Sequence, residues 1–152
     1  MILYRLTKTR FATDAWSGQG AKEAGGRWNS VGTAMVYAAE TASLTMLETL
    51  VHLHAASLLD SFTLLSIDVD DELIQMIDNQ ILPARWAAPE APPELAEIGD
   101  RWVQSGDAVA LRVPSALSPV EFNFLLNPLH PQFPFIVSRA VKIDFRFDRR
   151  LK

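Results

Sequence analysis

The sequence predicts an α+β fold: a single domain over residues 1–152 with a mixed, mostly antiparallel sheet. Three observations carry that prediction. Hydrophobic residues make up 49% of the 152 positions, enough for one core without disulfides or metal. Strand-like and helix-like segments do not alternate regularly, which disfavours a doubly wound arrangement. Near the end of the chain, Val141, Ile143, Phe145 and Phe147 alternate with Lys142, Asp144, Arg146 and Asp148, the period of two of a half-buried strand.

Taken in order, residues 2–6 (Ile-Leu-Tyr-Arg-Leu) make a first strand. Gly18, Gly20, Gly25, Gly26 and Gly32 then mark a loop-rich region that ends at a strand over residues 34–39. Residues 41–55 form the best helix, with Thr41 as N-cap and an apolar stripe of Ala42, Leu44, Met46, Leu47, Leu50, Val51 and Leu53, expected to pack deep in the core. Residues 62–69 read as a strand. The acidic start Asp70-Asp71-Glu72 favours a short helix through about Ile77, because carboxylates complement a helix N-terminus. Pro83, Pro89, Pro92 and Pro93 exclude a regular element, although Pro92 or Pro93 suits the first turn of a helix reaching about Ser105. Strands over residues 108–113, 122–126 and 141–147 complete the chain. No internal repeat or low-complexity tract divides it.

The composition excludes whole classes of function. No cysteine is present, so thiol catalysis, disulfide frameworks and cysteine-ligated clusters are absent, in keeping with a cytoplasmic protein. A net charge of -4 argues against direct nucleic-acid binding, which needs a basic surface. The basic run Arg146, Arg149, Arg150 and Lys152 reads as a solvated tail in preference to a phosphate patch. The first residues lack the features of a secretory signal, and no apolar run reaches membrane-spanning length.

Candidate chemistry concentrates between residues 25 and 54. Gly25-Gly26-Arg27-Trp28-Asn29 offers main-chain amides, a guanidinium and a side-chain amide to an anionic ligand, but matches neither the P-loop nor the Rossmann pattern. Arg27 in an ordinary salt bridge is the competing reading. Tyr37 is either a sheet-face aromatic with a locally satisfied hydroxyl or a stacking platform bordering a cleft. Thr41, Thr45, Glu48 and His52 align as a polar stripe on the helix, facing either solvent or a cleft; in a cleft, Glu48 is a carboxylate on a rigid support. His52 and His54 are too close in sequence to face one another on a helix, and His130 sits in a turn-like Asn-Pro-Leu-His-Pro, so a metal site is not expected. Ser115 follows Val113-Pro114 without the setting of a nucleophile elbow and reads by default as a turn hydroxyl.

In sequence order, Tyr4-Arg5, GGRWN, Val36-Tyr37-Ala38-Ala39, Leu47-Glu48, Val113-Pro114-Ser115 and EFNFLLNP over residues 121–128 resemble the RES-domain toxins of bacterial RES/Xre toxin–antitoxin pairs. The resemblance spans nearly the whole chain, although residues 83–105 carry no matching motif. It implies a fold related to ADP-ribosyltransferases and an enzyme that consumes NAD as substrate, with no cofactor, by breaking the nicotinamide–ribose bond and passing the ADP-ribosyl group to water or phosphate. The site it implies has Glu48, Arg27 and Tyr37 as catalytic residues and Arg5, Ser115 and Asn123 as substrate-binding ones. In that site Arg27 holds the pyrophosphate or the nicotinamide-side ribose, Arg5 assists, and Tyr37 encloses the nicotinamide. Glu48 stabilises the developing cation, Ser115 orients an amide or a ribose oxygen, and Asn127 is more structural than Asn123. The implied partner is an Xre-like DNA-binding antitoxin, around a toxin homodimer within a larger complex. Two alternatives stay open: ADP-ribosyl transfer to a macromolecule, and a non-catalytic nucleotide-binding interaction module.

Overall fold

The computed structural model describes residues 1–53 and 56–151. Its strands are β1 (Ile2–Lys8), β2 (Val36–Ala39), β3 (Phe62–Asp68), β4 (Ile74–Met76), β5 (Ala110–Pro114), β6 (Phe122–Leu126) and β7 (Val141–Ile143). They form one sheet in the order β4-β5-β6-β2-β1-β3-β7. Among the described residues, β4 and β5 run parallel and the other neighbouring pairs are antiparallel. The helices are α1 (Gln19–Ala24), α2 (Ala42–Val51), α3 (Pro93–Ser105) and α4 (Phe133–Val137). The α+β class and the mixed, mostly antiparallel sheet are as expected. Among the described residues, no helix is long and apolar enough to cross a membrane.

Strand alternation sorts the sheet's two faces. Val36 and Ala38 of β2 and Phe124 and Leu126 of β6 point into one core with Phe133 and Ile136 of α4. Tyr37 and Leu125, paired in register, lie on the opposite face, where Leu95, Ile98, Trp102 and Val103 of α3 cover them. Ala39 and Asn123 are the next pair along that face. Burying an apolar side chain of this size contributes about 1.5–3 kcal/mol each, so the two cores fix the sheet between helices.

α3 follows its sequence signals closely. Pro93 opens it, Leu95, Ile98, Gly99, Trp102 and Val103 form its buried stripe, and Gly106 ends it in the left-handed region at φ +66°. α2 begins as its N-cap signal predicts, with Thr41 Oγ1 accepting from the Leu44 amide at 3.0 Å. Thr41→Ala should therefore lower stability by about 1 kcal/mol, read as a shifted denaturant midpoint with unchanged slope. The helix ends at Val51, short of the expected Ala55; His54 and Ala55 lie outside the described residues. Its apolar stripe is only partly buried, because Leu47 and Val51 are 43% and 57% exposed while the polar residue Thr45 is buried and accepts from the Leu6 amide of β1 at 3.3 Å.

Three expectations need correction. The acidic run at Asp70 does not start a helix through Ile77: a single 3-10 turn over Asp71–Leu73 gives way to β4, whose Ile74, Gln75 and Met76 pair with Ala110, Leu111 and Arg112. The open edge of β5 and the Trp102 Nε1 bond to Gln75 Oε1 at 2.9 Å, both distant in sequence, outweigh the local helix signal. The glycine-rich region contains α1, entered through Gly18 and left through Gly25, both at φ +73°. The terminal alternation pairs with β3 only over Val141–Ile143; beyond it Phe145 and Phe147 pack edge-on, with Phe62 against Phe147 at 5.8 Å.

Candidate active site

A cavity of about 830 Å³ opens on the sheet face that carries Tyr37 and Asn123. Its walls are α2, the 25–28 loop and part of the proline-rich segment, and its polar lining includes Arg5, Arg27, Tyr37, Glu48, His52 and Asn123. The volume lies within the range of small-molecule sites.

Glu48 faces this cavity, not open solvent, and its Oε1 accepts from Asn123 Nδ2 at 2.7 Å and from Ser115 Oγ at 3.4 Å. The carboxylate is thus held from a helix by a group on β6 and a group just after β5, which fixes its direction. Ser115 is 3% exposed and lies behind Glu48; its Oγ also accepts from the Leu117 and Ser118 amides at 3.1 and 3.0 Å. It therefore closes a turn, as its residue type suggests, and touches the carboxylate as well.

The two arginines of the site make no ion pair among the described residues. Arg5 donates from Nε to the Ala15 carbonyl at 2.8 Å and from Nη1 to the Tyr37 carbonyl at 2.9 Å. Burial brings its pKa from the ordinary 12.5 down to about 10, so it remains a cation at neutral pH and lacks a counter-charge. Arg27 donates from Nη1 to the Trp86 carbonyl at 2.9 Å and from Nη2 to the Pro89 carbonyl at 3.3 Å. The salt-bridge reading of Arg27 does not hold. Two of its five N–H groups hold the proline-rich segment, and the others stay available to a ligand.

Tyr37 has the locally satisfied hydroxyl of its first reading, and its strand borders the cleft that the second reading requires. Its hydroxyl is bound locally, donating to Asn29 Oδ1 at 2.6 Å and accepting from the Trp28 amide at 3.0 Å, while the residue lines the cavity. Burial raises its phenol well above the ordinary tyrosine value, so the ring stays neutral. The Asn29 amide, expected to be offered to a ligand, is instead 1% exposed and bound to the protein. Asn127 is structural, donating to the Val103 carbonyl and accepting from the Leu129 amide. His130 Nδ1 accepts from the Gln132 amide in a turn, and His52 lies on the cavity wall; among the described residues, no group of three or more His, Cys, Asp or Glu could hold a metal. In the basic run, Arg149 pairs with Asp60 and Arg150 with Asp148, each at 2.6 Å, and Lys152 lies outside the described residues.

The RES domain family model matches residues 2–148. The chain belongs to the RES-domain family. It is 42% identical over 152 residues to "Toxin Res" of Yersinia enterocolitica, covering 100% of both chains. It is 43% identical over 151 residues to "Toxin Res" of Photorhabdus laumondii, covering 99% of this chain and 97% of that one. It is 41% identical to the "Prs ADP-ribosylating toxin" of a Sphingobium strain, covering 93% and 94%. Among solved structures, the M. tuberculosis MbcT–MbcA toxin–antitoxin complex contains a similar chain, with a TM-score of 0.74 at 20% identity over 99% of this chain and 85% of that one. At that identity the likeness speaks for the fold alone.

In this RES domain, sequence reasoning missed two contributors to the site. The proline-rich segment supplies Ala87, Pro89 and Ala91 to the cavity wall as well as the carbonyls that hold Arg27. The prolines signalled an irregular, wrapping segment, but nothing local says where it runs. Trp28 is the second: it is 2% exposed in the α3 core and, being next in sequence, anchors the main chain that carries Arg27.

Proposed function

We propose that this chain is the toxin of a toxin–antitoxin pair and that it degrades NAD by cleaving the nicotinamide–ribose bond. The observation that carries this reading is one cavity holding a hydrogen-bonded carboxylate, Glu48, together with two arginines that have no carboxylate partner among the described residues. A dinucleotide supplies both complements: a pyrophosphate for the cations and a ribose whose C1′ becomes cationic as the bond breaks. Nicotinamide leaves as a neutral molecule with the bonding electron pair, so no acid is needed at its nitrogen. Glu48 faces the cationic ribose, and its attraction grows toward the transition state, where it lowers the barrier. Asn123 and Ser115 hold Glu48 in place. Arg27 and Arg5 grip the pyrophosphate, and the Tyr37 ring encloses the nicotinamide.

Water or phosphate accepts the ADP-ribosyl group, and an Xre-like DNA-binding antitoxin obstructs the cleft of a toxin homodimer in the cytoplasm. The names of the curated relatives support the toxin reading, and the similarly folded chain of the M. tuberculosis complex is one that has an antitoxin partner. A second reading, transfer of ADP-ribose to a macromolecule, is favoured by the Sphingobium relative's name. The test is incubation of antitoxin-free protein with labelled NAD, with and without phosphate and cell extract, and with products read by mass. Free ADP-ribose or its phosphate is expected. Label retained on protein would favour the second reading, and NAD binding without nicotinamide release would leave only a non-catalytic module.

A further inference from the structure

Asn29 is a buried side chain with both ends engaged. Its Nδ2 shares two N–H groups among the carbonyls of Ala21 at 2.8 Å, Thr33 at 3.0 Å and Ser30 at 3.2 Å, and its Oδ1 accepts the Tyr37 hydroxyl at 2.6 Å. The Tyr37 oxygen in turn accepts from the Trp28 amide at 3.0 Å. The Gly26 amide donates to the Asn29 carbonyl at 3.0 Å. Arg27 is thereby flanked on both sides by main-chain groups bound to this pair.

The fit around the pair is close. A Cβ on Gly26 would stand 2.7 Å from the Tyr37 hydroxyl and 2.9 Å from Asn29 Oδ1, so the turn rests directly on both. Only an amide of this length both donates to α1 and accepts from Tyr37; aspartate has the shape but no donor. The phenol stays neutral and can donate and accept together.

We propose that Asn29 is a positioning residue for Arg27, acting through the Tyr37 hydroxyl and the Trp28 amide to aim the guanidinium at a substrate pyrophosphate. The proposal rests on the reading of Arg27 as a pyrophosphate clamp. Asn29 touches no substrate. Its amide holds the turn to α1, its oxygen orients the phenol toward the Trp28 N–H, and the Trp86 and Pro89 carbonyls catch the guanidinium from the other side.

The experiment is a double-substitution cycle on the full chain, with steady-state nicotinamide release as the readout. Asn29→Asp should raise the KM for NAD about tenfold and leave cleavage of nicotinamide riboside, which has no phosphate, unchanged. Asn29→Ser, which draws the side chain back from both the Tyr37 hydroxyl and α1, should raise that KM similarly and carries the test if the aspartate variant does not fold. In an Arg27→Ala background neither change should raise KM further. Additive losses in that background, or equal losses on NAD and riboside, would overturn the positioning role and leave the clamp standing. An Arg27→Ala protein with an unaltered KM for NAD would overturn the clamp, and the proposal with it.

Discussion

Glu48→Gln should lower nicotinamide release from NAD by roughly a thousand-fold, the cost of removing one preorganised electrostatic contact to a developing charge. Glutamine keeps the volume and can still accept from Asn123 Nδ2, which stands 2.7 Å from the native Oε1. The fold should therefore survive, with thermal unfolding close to that of the parent. What disappears is the negative charge that the proposed mechanism sets against C1′ of the ribose. Because that charge matters most when the carbon is cationic, the loss should fall on kcat more than on KM. A variant that releases nicotinamide at the parent rate would remove Glu48 from the mechanism, whatever its place in the cavity.

The second large effect concerns the fold behind the site. Gly99→Ala should destabilise the protein by about 3 kcal/mol or more, although alanine is the better helix former by about 1 kcal/mol. Gly99 lies in the middle of α3, and a Cβ there would coincide with the Trp28 carbonyl oxygen and press on the Met35 side chain. Helix and loop can touch only because this residue has no side chain. Since Trp28 follows Arg27, partial relief of the clash would displace the guanidinium, so surviving protein should also bind NAD more weakly. Gly20→Ala is the matched control: it lies in α1, nothing stands within 4 Å of a Cβ there, and it should stabilise by about 0.5–1 kcal/mol. A midpoint for Gly99→Ala at or above that of the parent protein would refute the packing argument.

How much of this was legible in the sequence depends on the range of the interaction. Thr41 and Pro93 act on the next few residues, and the helix starts they announce are where α2 and α3 begin. β6 reads directly from Phe122 to Leu126 because four of its five residues are apolar, two of them aromatic, and Phe124, Leu125 and Leu126 are buried. β4 does not, since its reason to exist is the edge of β5, more than thirty residues later. At the site, the spacing of Thr41, Thr45, Glu48 and His52 exposed a polar stripe but not its direction. That direction follows from Thr45 binding the β1 backbone. Family resemblance supplied Arg5, Ser115 and Asn123. It could not say that Ser115 stands behind Glu48, or that Asn29 faces inward, because both depend on contacts between distant elements.

The proline-rich segment grips Arg27 only through the oxygens of Trp86 and Pro89, atoms that every amino acid carries. Its contribution is therefore blind to side-chain identity. Replacing one side chain at a time away from Trp86 and Ala91, which pack on the α3 core, would leave both acceptors in place, whereas inserting a single residue would misplace them. Natural variation there should accordingly be loose in spelling and strict in length.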